Sequence, residues 1–116
     1  VTLKSGWIGT PWHPIKHNGE WTYPNSIVGS KHTQCDAVYS FVLENRSSIH
    51  INGIESATLG HNNTENNVIT HEFFGTDRII ESLKKLDQKN DGYITITPEW
   101  MMRDSDTEKY CDIRQP

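Results

Sequence analysis

The chain has 116 residues, a length that fits one domain and nearly excludes two. Leu, Ile, Val and Phe supply only 25 of them and the net charge is −4, so the chain can fill one thin core without strong self-repulsion. No apolar run approaches the ~18 residues of a membrane span, and no basic excess is present to neutralise a phosphate backbone; neither a membrane span nor a nucleic-acid partner is expected.

Residue 1 is Val, which is read as a processed or trimmed start. Residues 1–25 hold three of the four tryptophans, and Pro11, Pro14 and Pro24 forbid a continuous helix there. Extended chain with turns is expected, with the tightest turn at Asn18-Gly19. Gly19-Glu20-Trp21 resembles the G-x-W opening of lipocalin-type barrels over three residues. The chain is short for that barrel, and no ligand site is carried over from it.

The pattern changes after Cys35. Residues 37–43 are rich in β-branched and aromatic side chains, and residues 48–52 alternate polar and apolar. These two runs are expected to form a hairpin across the break at Glu44-Asn45-Arg46. Ile49 and Ile51 would then face the core, with His50 and Asn52 facing water. A polar loop at 60–66 and a further strand at 67–73 follow.

Thr76 fits a helix N-cap, and Asp77 suits the positive end of the helix. Ile79, Ile80, Leu83 and Leu86 recur at helical spacing, which predicts an amphipathic helix over 77–86. Residues 93–97 are then expected to be a strand. Thr97-Pro98-Glu99 would cap a short helix running to Arg103.

These elements predict one α+β domain over 1–116, an antiparallel hairpin or meander sheet packed on one helix. The aromatic segment 1–25 would precede a β-rich body over 35–116. There is no C-x-x-C motif, and Cys35 and Cys111 are expected to pair with each other. Closing so long a loop would contribute about 4–5 kcal/mol in the chain-entropy model. It would also imply an oxidising, secreted or periplasmic location. Asn45-Arg46-Ser47 and Asn62-Asn63-Thr64 are N-x-S/T sequons.

No nucleophile elbow, phosphate-binding glycine loop or H-E-x-x-H motif is present. The leading reading is therefore a recognition domain for a glycan or protein, of the toxin-binding-subunit, adhesin, inhibitor or immunity type. Trp7, Trp12, His13, His17, Trp21 and Tyr23 would form its surface, because aromatic rings bury much area at little entropic cost. At least one of the three indoles should be exposed. The alternative is a small secreted hydrolase, RNase-like, using His50 or His71 with Glu44 or Glu72 as an acid–base pair.

Residues 87–99 also resemble an EF-hand calcium loop. Asp87, Asp91, Gly92 and Ile94 match its pattern, whereas Lys89 and Pro98 stand where oxygen ligands belong. Neither a metal nor a cofactor is expected, and the oligomeric state is left open.

Overall fold

Two Asn-Gly pairs set the architecture. In a computed structural model, which describes residues 1–115, Asn18 and Gly19 have φ of 53° and 80°, and Asn52 and Gly53 have φ of 48° and 75°. Successive positive φ angles make the tight primed turn whose twist matches paired strands. Each pair therefore joins a short hairpin. The first links β1 (Ile15–His17) to β2 (Glu20–Thr22), with Lys16 opposite Trp21. The second links β3 (Ile49–Ile51) to β4 (Ile54–Ser56), with His50 opposite Glu55. The hairpins join through β1 and β4, where Ile15 faces Ser56, giving an antiparallel sheet in the order β2-β1-β4-β3.

Helix α1 (Asp77–Leu86) follows, capped by the Thr76 hydroxyl, which accepts from the Arg78 N–H. Its N-cap, span and apolar stripe agree with the sequence. The stripe packs against β6 (Tyr110–Ile113), which pairs with β5 (Met101–Arg103) in a separate antiparallel ribbon. Ile79, Phe73 and Ile113 are buried there, with Leu83, Leu86 and Trp100 packed around them. The sheet has its own core of Val1, Leu3, Trp7 and Ile15, and Trp21, Ala57 and Ile69 form a third cluster.

The α+β class, the antiparallel sheet and the single helix therefore hold, while several elements differ from expectation. Ile49 and Ile51 do turn inward and His50 outward, but their partner is β4 rather than residues 37–43. The two-residue Asn52-Gly53 turn closes that pairing at once, and the run 37–43 is left with no strand partner among the described residues. Residues 67–73 form turns instead of a strand. There the Asn66 Oδ1 accepts from the Val68 and Ile69 N–H groups, and the His71 Nδ1 accepts from those of Phe73 and Phe74. Local side-chain acceptors thus satisfy backbone donors that a ladder would have used. Residues 93–97 are likewise unpaired, and after a 3-10 turn at Pro98–Trp100 the chain enters β5 rather than continuing as helix.

The expected Cys35–Cys111 disulfide is absent. Cys35 is an exposed free thiol, and the Cys111 Sγ contacts the Met102 carbonyl at 3.6 Å within the ribbon. Cys111 is fixed by the β5–β6 pairing, whereas Cys35 sits on an exposed stretch outside any strand. Two free thiols do not point to an oxidising compartment.

Candidate functional site

The turn Thr10-Pro11-Trp12-His13 carries the chain into β1. The His13 N–H donates to the Thr10 carbonyl at 3.3 Å, and the Pro11 carbonyl accepts from Asn25 at 3.1 Å. Pro14 holds His13 in extended backbone and then continues the sheet, its carbonyl accepting from the Ala57 N–H at 2.9 Å. These bonds point the His13 ring at the end of β4. Its Nε2 donates to the Ala57 carbonyl at 2.8 Å, and the ring leans on Trp7 with centroids 6.1 Å apart.

Trp7 is itself fixed by its indole N–H, which donates to the buried Ser56 hydroxyl at 2.9 Å. Gly9 allows this placement, since a Cβ there would overlap the Trp7 ring. A cavity of about 70 Å³ opens beside the imidazole, large enough for a few water molecules. Thr10, His13, Ser40, Phe41 and Ser56 are among its lining residues.

Burial lowers the His13 pKa, and the bond to Ala57 offsets this only in part. The ring is therefore neutral at neutral pH. A carbonyl oxygen can only accept, so the proton sits on Nε2 and Nδ1 keeps its lone pair. A neutral imidazole beside a small polar cavity can take up a proton and return it.

Residues 1–112 match the family model Vint, described as a Hint domain. The chain belongs to the Vint family of Hint domains. No curated protein matches it.

Within this Hint domain the six residues expected to form one binding surface are divided between core and exterior. Trp7 and Trp21 are core residues, and the Trp21 indole N–H donates to the Glu65 carboxylate. Trp12 is 64% exposed and stands edge-on to Tyr23, with ring centroids 5.4 Å apart. His17 is exposed at the end of β1, and of the six only Trp7 and His13 line the cavity.

The expected acid–base pairs are placed differently too. His50 Nε2 lies 3.8 Å from Glu55 Oε1 across the second hairpin, on an exposed face. His71 points its Nδ1 at backbone donors. A second half-buried histidine, His61, does the same, accepting from the Asn63 N–H at 2.8 Å. Burial lowers the pKa of both.

In the loop that resembles an EF-hand, Asp87 accepts from the N–H groups of Asp91 and Gly92, and Asp91 from that of Tyr93. These carboxylates close the turn after α1. Among the described residues no three His, Cys, Asp or Glu side chains gather in a metal-binding cluster.

The sequence named His13 as a surface donor and missed its place in the cavity. The signal available was the Pro on either side of Trp12-His13, which fixes the ring's direction. What that direction faces depends on Ala57, 44 residues away.

Proposed function

We propose that this domain is an autoprocessing unit that breaks a peptide bond in the polypeptide carrying it, with His13 as the proton carrier. The family match over residues 1–112 carries this reading. The His13 geometry supports it and supplies the role.

Cleavage by internal acyl transfer begins when a hydroxyl or thiol of the processed polypeptide attacks the carbonyl carbon before it. The C–N bond breaks, an ester or thioester forms, and the released amine needs a proton; the chain separates when water or an added thiol then attacks that acyl carbon and displaces the side-chain oxygen or sulfur. A neutral His13 with a free Nδ1 can accept the proton of the nucleophile and deliver it to the leaving nitrogen. The cavity gives that transfer a small, partly enclosed space.

The test uses the complete natural polypeptide containing residues 1–116, followed by intact mass and N-terminal sequencing. A single break is expected, accelerated by an added thiol or hydroxylamine. His13→Ala should reduce its rate by about 10²-fold or more while the fold is kept. An unbroken polypeptide under both conditions, or an equal rate in His13→Ala, would overturn the reading.

A recognition role has one specific observation in its favour, the exposed Trp12 with Tyr23 beneath it. It would involve a protein or glycan contact at that pair. Trp12→Ala should then remove partners captured from the native host without moving the melting temperature, and unchanged capture would dismiss it.

A further inference from the structure

We propose that residues 38–42 are the docking edge for one extended strand of the polypeptide being processed, laid past the His13 cavity; this rests on the autoprocessing reading above. The run 37–43, Ala-Val-Tyr-Ser-Phe-Val-Leu, has strong strand composition, no charge, and neither turn nor bend. Residues 37–42 are nonetheless exposed, with Tyr39 64% accessible. Among the described residues, the Phe41 carbonyl is the single backbone group of 37–42 with a backbone partner, the Leu59 N–H at 2.8 Å.

In extended chain the N–H and C=O of one residue point to the same side and those of the next to the other. With Phe41 turned toward Leu59, Ser40 and Val42 present their donors and acceptors outward. Such an unpaired edge is a template for strand addition. Its position gives it a purpose. Val38, Tyr39, Ser40 and Phe41 form a wall of the cavity that His13 also lines, so a strand on this edge runs along that wall.

Charge selects the occupant. Asp36 and Glu44 bracket the uncharged run. A second copy pairing antiparallel about Ser40 would set Asp36 opposite Glu44 at both ends, and like charges directly opposed are destabilising. The complementary strand has an uncharged, β-branched centre and a Lys or Arg at either end.

Three synthetic nonapeptides test this on the wild-type chain: Lys-Thr-Val-Thr-Val-Thr-Val-Thr-Lys, its Glu-flanked counterpart, and the Lys-flanked peptide N-methylated at alternate residues. The Lys-flanked peptide should bind about fivefold to tenfold more tightly than the Glu-flanked one. It should slow amide exchange at Ser40 and Val42, and N-methylation should abolish both effects. Equal binding by all three, no binding by any, or protection confined to other residues would overturn the docking edge.

In the complete polypeptide, Ser40→Pro and Val42→Pro should slow processing, with the helix signal in circular dichroism confirming that the fold remains. Processing at the wild-type rate in both folded variants defeats the edge and leaves autoprocessing intact. Peptide protection at Ser40 and Val42 in a polypeptide that never processes has the opposite meaning. If a proline variant fails to fold, the peptide arm on the wild-type chain decides.

Discussion

Three histidines should make this fold sensitive to acid. His13, His61 and His71 all have pKa values pushed below the ordinary value, chiefly by burial. Lys109 lowers His71 further, against the opposing pull of Glu72. In the unfolded chain the same groups take up protons near pH ~6.5. As pH falls through that value the unfolded state binds more protons than the folded one, so stability is present at neutral pH and lost toward lower pH. The contacts explain why. The Nδ1 atoms of His61 and His71 already accept backbone N–H groups, and a proton on either would set donor against donor. The melting temperature should therefore fall as pH is lowered from 7 to 5. His71→Asn should flatten that slope, because the Asn Oδ1 can accept the same N–H groups and does not titrate. A slope that is absent or reversed in the wild type would show that these rings take up protons without breaking their contacts. Asp77, held low mainly by the Arg46 hydrogen bond, titrates in a lower range and does not confuse the measurement.

At the scale of elements, the turns and the helix can be tested separately. Gly19 has φ of 80° and open space around its Cα. Gly19→Ala therefore meets backbone strain with no side-chain clash, and should cost about 1–2 kcal/mol in denaturant unfolding. A neutral result would mean that the first hairpin can relax into another turn. In α1 the stripe is graded rather than uniform. Ile79 is 1% exposed, between Phe73 and Ile113, whereas Leu83 is half-buried. Ile79→Ala should cost about 2–5 kcal/mol, and Leu83→Ala clearly less. Equal costs would place Leu83 as deep in the core as Ile79. The helix was legible because its period, cap and last-turn lysines all agree. The partner of β3 was not, because residues 37–43 have better strand composition than β4, and composition carries no information about which neighbour a strand will find.

For the whole molecule, the free thiols change the account of stability. The chain holds together through three apolar clusters and the helix–ribbon contact, without a covalent staple. Both cysteines should react with a thiol reagent in the folded, unreduced protein, Cys35 faster than the partly covered Cys111. The melting temperature should be the same with and without reductant. A shift on reduction, or a mass gain of two protons, would restore the bridge and with it the oxidising location.

The sequence by itself determined what local energetics control: the Asn18-Gly19 turn, the capped helix over 77–86, and the division of β3 into inward isoleucines and an outward histidine. It also held the composition of the exposed run 37–43, though not its isolation. Tertiary structure alone decided which tryptophans are buried and which histidine lines a cavity. Trp7 is fixed by Ser56 and His13 by Ala57, partners 49 and 44 residues away. Burial and a lowered pKa are properties of such distant neighbours, and no spacing along residues 1–25 encodes them. The physical reason is desolvation: a ring gains its chemistry from the water it loses, and only packing removes that water.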